Sequence, residues 1–136
     1  MQGVLKRKNE FLNHFEELAP QHVAYRKKYS YFWDNIVDYF NYFIHENDAV
    51  LEVGCATGET LSKLKGRQKT GIDFSPTMIA EGRKRYPEIE FILADIEALT
   101  DDRKYDVVIV SHSIGYFVDV LSAFKAIKKV CHPGTK

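Results

Sequence analysis

Two hydrophobic rhythms divide the chain near residue 46. Before that point apolar residues recur at helical spacing. Phe11, Leu12, Phe15 and Leu18 form one stripe that Pro20 interrupts, and Phe32, Ile36, Phe40, Phe43 and Ile44 form another from about Ser30. Tyr29, Tyr31, Phe32, Trp33, Tyr39, Phe40, Tyr42 and Phe43 supply eight of the chain's 18 aromatic residues. One buried stripe needs fewer, so the excess is expected to line a second surface. From Asn47-Asp48 onward, apolar runs of strand length (49–53, 69–73, 90–94 and 105–110) alternate with helical segments. The first of these helices runs from about Glu59 to Lys65. The second opens on Ser75-Pro76, a side-chain cap followed by a first-turn proline, and closes before Pro87. The last follows Asp119 as cap, with Leu121, Phe124, Ile127 and Val130 as its apolar stripe, and ends at His132-Pro133-Gly134.

Strands that are apolar on both faces and alternate with helices indicate a parallel sheet covered on both sides. The predicted fold class is therefore α/β: a doubly wound, Rossmann-like parallel sheet of four strands in a domain at 47–136, preceded by an N-terminal helical extension or lid at 1–46. The chain stops after a helix and a Pro-Gly turn, where such a fold normally enters another strand. The expectation is that C-terminal strands are missing and that the fourth strand lies at an open edge, prone to association.

Composition narrows the function. The 136 residues carry 19 Lys plus Arg against 19 Asp plus Glu, so there is no broad basic field for nucleic acid or anionic membranes. The two cysteines are too few for a disulfide framework or a cysteine-based zinc site, and no metal is expected. With neither a secretory signal nor a membrane-length apolar run, the expected location is cytoplasmic.

The candidate chemistry sits where strands end. Gly54-Cys55-Ala56-Thr57-Gly58 follows the first strand and opens a helix. Gly54 permits a sharp turn, and Ala56 and Gly58 keep the loop small enough for a ligand to touch the main chain. The helix behind it is expected to offer free N–H groups and a positive dipole end to a carboxylate or phosphate. A dinucleotide fingerprint would need a third glycine, whereas Glu59 follows Gly58; an acid, Glu52, precedes Gly54 instead. That arrangement favours a nucleoside bearing a cationic amino group. Asp73 ends the second strand 21 residues later, placed to accept bonds from two ribose hydroxyls; Asp95, followed by Ile96, ends the third and matches an adenine edge. Alone, each acid would be read as a helix cap; three together, beside a glycine loop, point to a ligand.

The loop 52–58, the run 71–79 (Gly-Ile-Asp-Phe-Ser-Pro-Thr-Met-Ile), Ala94-Asp95-Ile96 and Tyr105–Ser111 resemble, in order and spacing, the successive motifs of class I S-adenosylmethionine-dependent methyltransferases. The resemblance covers about residues 49–134. It implies S-adenosyl-L-methionine as cofactor, with Glu52 and the main chain of Gly54, Cys55 and Ala56 at the methionine part and Gly58 completing the loop. It further implies Asp73 at the ribose, Phe74 and Met78 near the adenine, Asp95 and Ile96 at the adenine edge, and Ser111 beside the methyl-bearing sulfur. Ala56 departs from the family's frequent glycine. A weaker resemblance, carried by 15–20 and 111–120, is to bacterial methyltransferase modules fused to a glycosyltransferase domain.

For catalysis, His112 beyond the fourth strand is the candidate base, or else a packing histidine. Tyr116, Tyr25, Tyr29 and Tyr31 are candidates to close over the sulfonium. The chain has no Asn-Pro-Pro-Tyr or Pro-Cys signature after the fourth strand, so nucleic acid is disfavoured and a small-molecule acceptor, methylated on oxygen or nitrogen, is expected. The alternatives are a module that binds the cofactor without turnover and an NAD-dependent oxidoreductase on the same fold.

Overall fold

The computed structural model describes residues 1–136. Helix α1 (Gln2–Lys28) and helix α2 (Ser30–Phe43) precede β1 (Ala49–Val53), α3 (Glu59–Lys63), β2 (Gln68–Asp73), α4 (Pro76–Arg85) and β3 (Glu90–Leu93). A 3-10 turn (Ile96–Ala98) then leads to β4 (Val107–Val110), and a second (Ile114–Tyr116) to α5 (Val120–Lys129). The four strands form one parallel sheet in the order β3-β2-β1-β4. Val53 lies beside Ile72 and Val110, so the carboxyl ends of β1, β2 and β4 finish level. The order reverses direction at β1, the switch point where open α/β sheets leave a crevice beyond the strand ends.

Alternating strand residues supply two separate cores. Val50, Phe91, Val107 and Ile109 pack with residues of α2, α3 and α4 on one face. Leu51, Val53 and Ile72 pack with Ala123, Ala126 and Ile127 of α5 on the other. Glu52 has the parity of Val50: an acid stands where this pattern calls for an apolar side chain. The caps are the predicted ones, with Ser75 Oγ accepting from Met78 N at 3.2 Å and Asp119 Oδ1 accepting from Ser122 N at 3.0 Å.

Four sequence expectations change. Pro20 does not end α1, which runs 27 residues through it; only the bond to the Glu16 carbonyl lacks a donor. The inner face of α2 is turned by about one residue: Val37 and Ile44 are buried, with Trp33 and Phe40 half-buried, while Phe32, Tyr39 and Phe43 remain on the outside. Helix α5 faces the sheet through Ala123, Ala126, Ile127 and Val130, leaving Leu121 and Phe124 exposed, because close helix–sheet contact selects the small residues. The start of β4 is not a bare edge: Lys136 N donates to the Asp106 carbonyl and the Lys136 carbonyl accepts from Val108 N, both at 2.9 Å, in parallel-ladder fashion. No helix is long and apolar enough to cross a membrane.

Candidate active site

A cavity opens at the carboxyl ends of β1, β2 and β4, walled on one side by strand ends and loops and on the other by α1 and Trp33 of α2. The loop after β1 folds back on its neighbour. Gly54 N and Cys55 N both donate to the Ile72 carbonyl, at 2.8 and 3.1 Å. Gly54 has φ +77°, and a Cβ there would lie 2.5 Å from that of Ser113, so glycine is required twice over. Ala56 also adopts a left-handed conformation, φ 48°.

Asp73 braces this loop. Its Oδ2 accepts from Ala56 N and its Oδ1 from Ser75 N, each at 2.9 Å. Burial raises its pKa, against those backbone bonds, which lower it. Glu52 is only 5% exposed, and burial pushes its carboxyl up to about 8, with Arg26 pulling the other way. Its Oε2 has no hydrogen-bond partner. Asp95 serves partly as a cap: Oδ1 accepts from Glu97 N at 3.0 Å, while Lys8 of α1 pairs with Asp95 Oδ2 and lies 2.7 Å from Glu97 Oε2.

Glu52, Gly54, Cys55, Ala56, Asp73, Phe74, Asp95, Ile96, Ser111 and His112 therefore line one cavity. Two other nominated residues do not. Met78 is buried (1% exposed) beneath the first turn of α4, where it packs as core. Gly58 lies behind the loop, donating to the Cys55 carbonyl at 2.9 Å, and a Cβ on it would strike the Phe91 ring at 2.6 Å. The expected helix dipole also falls away, because α3 has five residues and begins with Glu59. The buried Cys55 thiol has its pKa raised well above the ordinary value by burial, so it is no nucleophile.

His112 adopts φ 59° and stands edge-on to Trp33, with ring centroids 5.0 Å apart; its Nδ1 lies 2.8 Å from Ser111 Oγ. Of the four tyrosines nominated to close over the sulfonium, Tyr116 reaches the cavity; Tyr25, Tyr29 and Tyr31 do not. Their place is taken by Phe11 and Phe15, which meet Tyr116 edge-on at 5.3 and 4.6 Å, and by Trp33.

The rest of the far wall escaped the sequence reading. Lys8, Phe11, Phe15, His22 and Arg26 line the cavity, and with Ala19 they follow one another at intervals of three and four along α1. The signal was present in the sequence, but a helix broken at Pro20 separates its two halves. Glu16 clasps α1 to the strand-end wall: Ser75 Oγ donates to Glu16 Oε1 at 2.5 Å, and Thr77 Oγ1 donates to Oε2.

Residues 50–134 match the family described as a methyltransferase domain. The chain belongs to the class I S-adenosylmethionine-dependent methyltransferases. Relatives include the demethylmenaquinone methyltransferase of Chlorobaculum tepidum, 36% identical over 62% of this chain and 37% of its own length. The malonyl-[acyl-carrier protein] O-methyltransferase of Acetivibrio thermocellus is 32% identical over 79% of this chain and 40% of its own. The matches thus span little more than a third of those relatives' lengths. In fold the chain is similar to the DhpI–SAM–HEP complex, at TM-score 0.73 and 23% identity, over 99% of this chain and 64% of that one.

The cofactor of this methyltransferase family is S-adenosylmethionine, and the residues present suit it. Glu52 Oε2, buried and unpartnered, is an acceptor awaiting a donor such as an ammonium. Asp73, beside the glycine loop, has lone pairs beyond the two that brace the backbone.

Proposed function

We propose that this methyltransferase domain binds S-adenosylmethionine at the strand-end cavity and takes part in methyl transfer to an oxygen or nitrogen of a small-molecule acceptor. The observation that carries this reading is the meeting of Glu52, Asp73 and Asp95, acids from three successive strand ends, at one cavity with a buried carboxylate oxygen left free. Glu52 would hold the amino group, Asp73 the ribose hydroxyls, and Asp95 with the Ile96 backbone the adenine edge, flanked by Phe74. The bound sulfonium supplies an electrophilic methyl group. The chain's own work is to orient acceptor and methyl in line and to keep water out, for which the apolar wall of Phe11, Phe15 and Tyr116 is suited. His112, at the mouth with Ser111 on Nδ1, would take the acceptor's proton on Nε2. Neutral net charge and relatives named for a quinone precursor and a carrier-bound malonyl group support a small acceptor over nucleic acid. Cys55 and Cys131, free in the structure, suit the cytoplasmic location expected from the sequence.

Calorimetric titration with S-adenosylhomocysteine and, separately, NAD tests this. Binding of the former alone is the expected result; binding of NAD alone would overturn the reading. Transfer of labelled methyl from S-adenosylmethionine into a cell extract then separates turnover from binding without turnover.

A further inference from the structure

Four buried side-chain polar atoms in the molecule have no hydrogen-bond partner: Glu52 Oε2, Glu59 Oε1, His22 Nε2 and Trp33 Nε1. Glu52, His22 and Trp33 line the cavity, with His22 and Trp33 on its helical wall, and Glu59 lies behind His22, 3.7 Å from its Nε2. Arg26 projects into the cavity from α1, its guanidinium stacked 3.8 Å from the Trp33 ring centroid and Nη2 donating to Thr60 Oγ1 at 2.6 Å. Burial lowers the Arg26 pKa, against the nearby carboxylates of Glu59 and Glu52, which raise it. Yet Arg26 makes no ion pair within 4.0 Å, although the half-buried His22 lies 3.7 Å from Glu59. A guanidinium with one of its five N–H donors used, an indole N–H without an acceptor and a carboxyl oxygen without a donor leave both signs of a zwitterion unmet. The group that answers them is a free α-amino acid: ammonium to Glu52, carboxylate to Arg26 and Trp33. Arg26 also supplies the positive charge that the five-residue α3 is too short to offer.

Resting on the cofactor reading above, we propose that Arg26, with the Trp33 N–H, is the carboxylate anchor for the amino-acid end of the adenosyl ligand. Helix α1 thereby becomes a specificity element, separating ligands that carry the amino acid from those that end at the thioether. Bidentate guanidinium–carboxylate geometry suits this role, and the stack on Trp33 pre-orients the fork.

The test compares S-adenosylhomocysteine with 5′-methylthioadenosine, which lacks the amino acid, in calorimetry on the whole chain. Arg26→Met, which keeps an apolar stem against Trp33, is expected to weaken S-adenosylhomocysteine about 10- to 100-fold and to leave 5′-methylthioadenosine within about twofold. Trp33→Phe removes only the N–H from the ring system and is expected to give a smaller loss, about fivefold, with the same selectivity. S-adenosylhomocysteine should also protect α1 from proteolysis, and 5′-methylthioadenosine should not. Equal losses for both ligands, or none for either, would overturn the anchor while leaving the cofactor reading intact. A wild-type chain that binds neither ligand would overturn both.

Discussion

The cavity's two walls are made differently. The strand-end wall is backbone held largely by backbone: Gly54 and Cys55 bond to Ile72, Ala56 bonds to Asp73, and residues 50–53 of β1 and 70–73 of β2 behind them are buried. The helical wall is a set of side chains on α1, a 27-residue helix with one buried residue, Ala19. It is held down by the contacts of Lys8, Glu16 and Arg26 and by edge-on aromatic pairs. One wall is part of the cooperative core; the other is attached to it and can leave without melting the sheet. A site of this construction keeps its strand-end acids preorganised, and on the proposed reading leaves the admission and enclosure of ligands to the helical half.

Glu52 is where the walls meet, and its titration gives the largest expected effect. Its pKa is about 8 in the folded chain against an ordinary value of 4.5, so the folded state holds a proton that the unfolded state has lost between those limits. The stability it contributes is full below about pH 4.5 and is lost as pH rises through about 8; the shift corresponds to roughly 4–5 kcal/mol at most. Thermal unfolding of the ligand-free chain should fall in Tm from pH 5 to pH 9, and Glu52→Gln should flatten that slope. An unchanged slope in the variant would mean that Glu52 is not the group titrating.

Asp73 tests the strand-end wall alone. Asp73→Ala strands the N–H groups of Ala56 and Ser75 and, on the proposed reading, removes the ribose acceptor. A loss of roughly 2–3 kcal/mol in stability and on the order of 2 kcal/mol in S-adenosylhomocysteine affinity is expected. Denaturant melts and calorimetry measure these separately; intact affinity in a destabilised variant would make Asp73 a brace only.

How each wall could be read in the sequence follows from the same difference. Strand ends are local: Glu52, Asp73 and Asp95 sit at fixed offsets from apolar runs, and parallel pairing levels those ends whatever the side chains do. The cavity position of ten nominated residues was legible for that reason. Met78 and Gly58 share those segments but point into the core and toward Phe91, a distinction set by packing partners far along the chain. Lys8, His22 and Arg26 were illegible for a different reason. Their spacing is regular only if the helix survives Pro20, and tertiary anchoring at Glu16 and Arg26 on either side outweighs one missing hydrogen bond. The predicted stripes hold only in part: Ile36, Phe40 and Ile44 at α2 and Ile127 and Val130 at α5 face inward, whereas Phe32, Phe43, Leu121 and Phe124 stay outside.

Glu16 tests the attachment of the helical wall. Its carboxyl pKa is lowered by the Ser75 and Thr77 hydroxyls, but the group is well hydrated, so Glu16→Ala should cost under about 1 kcal/mol of global stability. The informative readout is hydrogen exchange. The α1 amides should exchange faster in the variant, with protection in β1 and β2 unchanged. Parallel loss of protection in the strands would show that α1 belongs to the core's cooperative unit and would remove the contrast between the walls.

The smallest expected effect refines the idea that the strand-end wall is held by its backbone. Ala56 has φ 48°, a conformation costing a residue with a Cβ about 1–2 kcal/mol. Replacing it by glycine relieves that strain but raises the entropy of the unfolded chain by about 0.4–1 kcal/mol. Ala56→Gly should therefore stabilise the chain by about 0.5 kcal/mol. The bond from residue 56 N–H to Asp73 Oδ2 is made by backbone and persists in the variant, so S-adenosylhomocysteine affinity should stay within about twofold. A clear fall in affinity without loss of stability would mean that the alanine methyl, rather than the bonds to Ile72 and Asp73, keeps the loop in its binding shape.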